Sequence, residues 1–379
     1  MPASIFNTSP TVIDTLRLSI TGSCNLNCFY CKATGKNLDL THNKQRITPS
    51  DVSKIVKMMG DLGVRKVLIK GGEPLLRKDA ANFVKSSFAH KAIEDVRLFT
   101  NGTFLKAFGD ALRKYGLRKV TLNLDSMHFA KFQKITGSDS LYRVLDGIEK
   151  VEKLNFTDIR INITLFDGIN NDEIVQFARL IKDRRIHVCF MEYLPVNSEA
   201  DAYKDRENRL GIVEAKKMID SYQILTPISP LQNEDPVPTF IFKNSMGKIS
   251  FVSKEFQQKS KLFPQLLLTQ DGMLFDESDP NKRMDLLTEL RKDPKSLKLR
   301  KAVEKFMTIK DEDDIEEVNV KATRKRKTAS GARKTTSSKK STSSKKAVKK
   351  LLTKSTAKKK TASSTKRKTT KSRSASISA

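Results

Sequence analysis

The chain has 379 residues, with 72 Lys and Arg against 43 Asp and Glu, a net charge of +29, and only four cysteines. The charge is concentrated at one end: residues 321–379 carry 22 Lys and Arg and no acid, leaving the first 320 at +7. No apolar run approaches the eighteen or so residues of a membrane span, and an odd trio of clustered cysteines argues for a reducing compartment rather than a disulfide framework. The expected location is the cytoplasm, with nucleoid association through the basic end as a further expectation.

Short apolar runs at Thr15–Ile20, Lys66–Ile69, Asp95–Phe99, Lys119–Leu124, Asp158–Leu165 and Ile186–Tyr193 read as strands. Helical patterns lie between them at Ser50–Leu62, Lys78–Phe88, Leu105–Lys114, Ser140–Lys153 and Asn171–Asp183. Thr48-Pro49-Ser50-Asp51 reads as a capped helix start, and Asp167–Asp172 as a turn into the next helix. Six βα units in series predict a parallel sheet with helices outside it, either doubly wound or an incomplete barrel. Ligands of such sheets bind at the carboxyl ends of the strands, where the motifs of this chain fall.

After the first strand, three of the four cysteines occur within eight residues, Cys24-Asn25-Leu26-Asn27-Cys28-Phe29-Tyr30-Cys31. Zinc takes four ligands, and the nearest histidine, His42, sits in an ordinary-looking loop. Four thiolates normally complete a [4Fe–4S] cluster; three leave one iron open to chemistry. The second strand runs into Lys70-Gly71-Gly72-Glu73-Pro74, where two glycines let the main chain approach a ligand and accept hydrogen bonds from it. Alone, Gly-Gly-Glu-Pro is as often a tight turn. Thr100-Asn101-Gly102 follows the third strand, and Asn123-Leu124-Asp125-Ser126 the fourth, putting polar groups where a ribose or carboxylate fits.

C-x3-C-x2-C with an aromatic residue, Tyr30, before the third Cys resembles the signature of radical S-adenosylmethionine (SAM) enzymes. The ordered motifs resemble the MoaA branch, whose founding activity is GTP 3′,8-cyclisation in molybdenum-cofactor synthesis. The resemblance runs from about Leu16 to Phe275 and includes Phe132–Gly137, Ile161–Thr164, Gly168–Ile174 and Phe190–Tyr193. It implies an incomplete (βα)6 barrel followed by a small C-terminal covering region. It implies one [4Fe–4S] cluster on Cys24, Cys28 and Cys31. SAM is expected beside Tyr30, Gly71, Gly72, Glu73, Pro74 and Ser126, with Asn123 and Leu194 at positions usually Ser and Met. Arg17 and Thr100 match substrate-binding positions, and Arg160 stands where Lys is usual. The implied chemistry is reductive cleavage of SAM by an external low-potential donor, a flavodoxin or ferredoxin. The resulting 5′-deoxyadenosyl radical takes hydrogen from a small-molecule substrate.

The departures are equally specific. Leu68 and Cys189 stand where the family usually has Arg. Its second cluster has three cysteine positions that here read Ser260, Phe263 and Glu277, and its Arg-bearing stretch reads Pro264-Gln265-Leu266-Leu267. Phe cannot ligate iron, so only one cluster is expected. The SAM half is expected to be kept and the GTP half rebuilt for an unidentified anionic substrate. The competing expectations are GTP 3′,8-cyclase itself and a nucleic-acid-associated protein with a vestigial barrel; three intact thiols argue against the latter.

Cys189, beside Val188 and Phe190, reads as a small buried hydrophobe. His90, His128 and His187 show no ligand spacing. Thr239–Phe242 and Lys248–Val252 read as a hairpin, and Lys282–Phe306 as helical, with Met284, Leu287 and Leu290 as its packing stripe. The expected domains are the core barrel (1–225), the covering region (226–310), and an acidic junction with a Lys/Ser/Thr-rich tail (311–379). Such a tail cannot bury enough surface to offset ordering entropy and is expected to be disordered. Its paired lysines suit nonspecific binding of nucleic-acid phosphates, without aromatics for base stacking.

Overall fold

The computed structural model describes residues 13–31, 46–195, 210–229, 237–260 and 265–308. The acidic junction, the basic tail, His42 and Phe263 lie outside these residues. In the first half, β1 (Thr15–Ser19), α1 (Pro49–Asp61), β2 (Lys66–Lys70), α2 (Ala80–Ser87), β3 (Asp95–Thr100) and α3 (Leu105–Lys114) alternate. Then come β4 (Lys119–Asn123), α4 (Phe129–Thr136), α5 (Leu141–Lys153), β5 (Asp158–Leu165), α6 (Ile174–Arg179), β6 (Ile186–Glu192) and α7 (Ile212–Tyr222). The remainder holds β7 (Thr226–Ile228), β8 (Thr239–Ile241), β9 (Lys248–Val252), α8 (Lys254–Ser260), β10 (Leu266–Leu268), β11 (Met273–Asp276) and β12 (Asp279–Asp285). Helices α9 (Leu286–Lys292) and α10 (Leu297–Met307) end it.

The twelve strands among the described residues form one sheet, in the order β12-β11-β10-β1-β2-β3-β4-β5-β6-β9-β8-β7. From β10 to β9 every pairing is parallel, and antiparallel strands extend both ends. Among the described residues β12 and β7 do not meet. The expected incomplete barrel is therefore present, its parallel sheet lengthened at both edges by later strands. Alternation along each strand sorts the faces. In β1, Leu16 and Leu18 pack into the main apolar core while Arg17 and Ser19 stay partly exposed on the inner face.

Local chemistry explains several boundaries. Thr48 caps α1 in a capping box: its hydroxyl accepts from Asp51 N (3.2 Å), and Asp51 accepts from Thr48 N (3.0 Å). Arg291 of α9 reaches the same carboxylate at 2.6 Å, tying the late helix to an early one. The hairpin at Asn244 forms as expected, with Asn244 at φ 66°.

Two helical expectations need correction. Lys282–Phe306 is not one helix, because Met284 lies in β12, Asp285 caps α9, and Pro294 separates α9 from α10. Asn171–Asp183 divides into a 3-10 turn at Asn171–Glu173 and the short α6. Cys189 is buried against Val237 and Val252, as a small hydrophobe should be. No helix among the described residues is long and apolar enough to cross a membrane.

Candidate functional site

The Cys loop leaves the carboxyl end of β1 and is tied to several other elements. Asn27 N donates to Thr136 O (2.8 Å) and Phe29 N to Ile135 O (3.1 Å), occupying carbonyls left open at the end of α4. Gly137, at φ 66°, ends that helix in the left-handed region. Gly22 N donates to the side chain of Gln270 (3.1 Å), so the turn between β10 and β11 also touches the loop. A turn within it brings Cys31 N to Cys28 O (3.0 Å).

The third contact explains the glycine pair. Gly72 N donates to Thr21 O (2.8 Å) and Glu73 N to Ser23 O (2.7 Å). A Cβ at Gly71 would lie 2.4 Å from Thr21 O, and one at Gly72 would lie 2.2 Å from Ser23 O. The close approach these glycines permit is thus to the main chain of the Cys loop. Pro74, buried with Leu75, opens a 3-10 turn just beyond.

Glu73 is fully buried, and its carboxylate accepts from Leu75 N (2.8 Å), Thr100 Oγ1 (2.8 Å) and Asn101 N (2.6 Å). Burial pushes the carboxyl up to about 7 against these three donors. Glu73 therefore clamps the loop after β2 to the loop after β3. Thr100, expected on the substrate side, is instead tied into this clamp. Asn101, which the sequence offered only as part of a turn, donates to Cys24 Sγ (3.8 Å) and Asn25 Oδ1 (2.8 Å). It carries the clamp across to the Cys loop.

A second buried carboxylate holds the other side. Asp125 accepts from the Tyr30 hydroxyl and from Thr164 N (2.7 Å). The Tyr30 ring packs with Phe29 and Phe166. Asn170 donates to Asp125 O and Thr164 O, both at 2.8 Å. Ser126 is fully buried and turned into its own loop, donating to Glu173 (2.8 Å) and accepting from His128 N (3.0 Å). Its hydroxyl braces the loop after β4. Asn123, by contrast, is exposed at the end of β4, and Leu194 is half-buried just past β6.

Burial pushes the Asp125 carboxyl up to about 6, although Tyr30 and Thr164 donate to it. Its unfolded value is about 3.9, so the folded chain binds more protons between about pH 4 and pH 6. The stability that Asp125 contributes through this shift is present below that window and is lost as pH rises through it. Urea unfolding of the metal-free chain is expected to show the wild type losing ground to Asp125→Asn from pH 4 to 6.5. A difference that stays flat or grows with pH would contradict this assignment.

On the inner face of the barrel, Arg17 Nη1 pairs with Glu277 at 2.6 Å. Arg160 lies nearer the amino ends of the strands, where it lines a cavity of about 800 Å³ with Leu68, His187 and Gln265. His187 is buried, bonds Ser250 Oγ (2.7 Å), and is held well below the usual imidazole range by burial and by Arg160 and Lys248.

The three thiols suit an iron–sulfur cluster. Among the described residues no three His, Cys, Asp or Glu groups converge as a single metal ion requires. Yet Cys24 and Cys28 each feel the charge of Cys31, and Cys28 that of Cys24. Three thiols on one short loop fit a multi-iron cluster, each taking a different iron, better than zinc, which takes four protein ligands in its structural sites. Burial, then Asp125 and the other thiols, pushes Cys28 well above the usual thiol range, so the thiolate form needs a cation beside it.

Comparison with known proteins agrees. The model of the radical SAM superfamily matches residues 18–181. The GTP 3′,8-cyclase of Listeria monocytogenes is 32% identical over 263 residues, covering 69% of this chain and 78% of that protein. The GTP 3′,8-cyclase of Alkaliphilus metalliredigens is 31% identical over 285 residues, covering 75% of this chain and 87% of that one. Among solved structures, Streptococcus suis SuiB bound to S-adenosylmethionine has a TM-score of 0.49 and 14% identity, covering 70% of this chain and 60% of that one. A motif, an incomplete barrel and relatives matched over most of their length converge: the chain is an enzyme of the MoaA-type branch of the radical SAM family, with a [4Fe–4S] cluster and SAM as its cofactors.

Proposed function

We propose that this enzyme acts on a small anionic molecule held inside the barrel, and that GTP is not that molecule. When bound, the cluster and SAM supply a 5′-deoxyadenosyl radical for hydrogen abstraction, given an electron from an external low-potential reductant. The chain itself holds the Cys loop rigid through Glu73, Asn101 and Asp125 and presents a partly basic inner face to substrate. The observation that carries the reading is the Arg17–Glu277 ion pair. Arg17 is a position the family resemblance gives to the substrate, and Glu277 stands where that resemblance puts a second-cluster cysteine. A carboxylate already on Arg17 repels a triphosphate, and Leu68 and Gln265 give it no cation in exchange.

The test is anaerobic reconstitution, with 5′-deoxyadenosine formation from SAM and calorimetry against GTP. SAM cleavage without micromolar GTP binding is the expected result. Micromolar binding, or a 3′,8-cyclised product, would favour the second reading, GTP 3′,8-cyclase. That reading draws on the names of the relatives this chain matches.

The basic segment 321–379 supports a separate proposal, nonspecific binding of nucleic acid. Deleting it should abolish retention on DNA while leaving SAM cleavage intact. In the full chain that retention should fall by about 10³ or more between low and physiological salt if six or more phosphates are neutralised. Binding that survives deletion would place the nucleic-acid site in the barrel.

A further inference from the structure

Lys66, Leu68 and Lys70 share the inner face of β2, opposite the core-facing Val67 and Ile69. Lys70 is the last of them, one residue before the glycines that lie against the Cys loop. Its carbonyl accepts from Ile20 N (2.9 Å), fixing its main chain to the end of β1. In register, Ser19 sits beside Lys70 and Arg17 beside Leu68, so Arg17 and Lys70 are diagonal neighbours on one face. Long side chains reach each other at that spacing. The Lys70 side chain makes no hydrogen bond or ion pair among the described residues, although Glu277 is close enough to act on its charge. Glu277 is bonded instead to Arg17, through Nη1. A guanidinium has further donors, and these can face a ligand.

We propose that Lys70 is a nucleophilic amine that captures the carbonyl of a small anionic aldehyde or 2-oxo acid as an imine, while Arg17 grips the neighbouring carboxylate. This deepens the reading of an anionic substrate in the barrel and rests on it. The Nζ lone pair adds to the carbonyl carbon; the carbon–oxygen bond then breaks. The oxygen leaves as water with both amine protons, and a carbon–nitrogen double bond remains. No oxidant or reductant is required. Such a step needs an uncharged amine, and a lysine gains one by desolvation or by a neighbouring cation. Both act here: burial first, then the charge of Arg17, bring the Lys70 ammonium down to about 8, with Glu277 opposing. An imine would hold the substrate by a covalent bond at the end of β2 nearest the Cys loop.

Glyoxylate with cyanoborohydride, applied to the reconstituted full chain at pH 7, tests this directly. Reduction of the imine blocks trypsin after Lys70, so the label appears in a peptide spanning Val67–Arg77. At pH 7 an amine titrating near 8 is uncharged about a hundredfold more often than an ordinary lysine, so Lys70 should be labelled about tenfold faster or more than the lysines of residues 321–379. Acetaldehyde, which lacks the carboxylate, should label Lys70 more slowly than glyoxylate, and Arg17→Met should remove that preference. Labelling of Lys70 at the rate of the other lysines, or equal labelling by the two aldehydes, overturns the proposal. The readout requires neither SAM nor a reduced cluster. A chain that cleaves SAM but leaves Lys70 unlabelled therefore overturns the imine alone, and a labelled chain that cannot cleave SAM overturns the radical reading alone.

Discussion

Reconstituted wild-type protein will carry about four iron atoms per chain, and Cys28→Ala will carry almost none and form no 5′-deoxyadenosine from SAM. Four irons correspond to one cluster, and the sequence holds only one set of cysteines able to bind one. Cys28 is the informative choice because its thiol is pushed well above the ordinary range by burial, Asp125 and its neighbouring thiols. The loop around it is fixed by main-chain bonds from Asn27, Phe29 and Cys31, which an alanine leaves in place. The metal-free variant should therefore unfold within about 1 kcal/mol of the wild type, separating loss of the cluster from loss of the fold. Wild-type iron near eight would show a second cluster. A Cys28→Ala chain that still cleaves SAM would remove the Cys motif from the chemistry.

Much of this site was legible before any coordinates, and the reason is physical. Strands buried on one face and followed by amphipathic helices announce themselves by pattern, so Asp158–Leu165 and Leu105–Lys114 match their sequence readings residue for residue. The Cys spacing needs no long-range information. What stayed hidden was the division of labour among the polar residues. Ser126, Thr100 and Glu73 lie at the carboxyl ends of strands, where ligands bind, yet each is turned into the protein to join one loop to the next. No local pattern distinguishes a hydroxyl facing a lumen from one facing a neighbouring carboxylate 47 residues away. The same holds for Glu277: its meaning came from Arg17, 260 residues distant in sequence and 2.6 Å distant in space. Met284 failed for another reason, since a stripe spaced three apart suits a helix but did not reveal that Asp285 begins one.

The Glu73 clamp yields the second large effect. Replacing Glu73 with Ala removes the acceptor of two backbone amides and one hydroxyl in a place with no solvent access. A buried donor left unpaired costs about 1–3 kcal/mol, so Glu73→Ala should destabilise the metal-free chain by roughly 3–6 kcal/mol, allowing for some entry of water. Glu73→Gln keeps one acceptor oxygen but turns an NH2 group toward a donor, and should lose about half as much. The damage should not stop at stability. Asn101, whose amide donates to Glu73, also donates to Cys24 and Asn25, so a loosened clamp frees one side of the Cys loop. Reconstituted Glu73→Gln should therefore fold, yet release iron to a chelator faster than the wild type. Urea unfolding and the chelation rate check the two halves separately. A Glu73→Ala loss below about 1 kcal/mol would show that the carboxylate does not join these loops. Wild-type iron retention in Glu73→Gln would show that joining them is not what keeps the cluster in place.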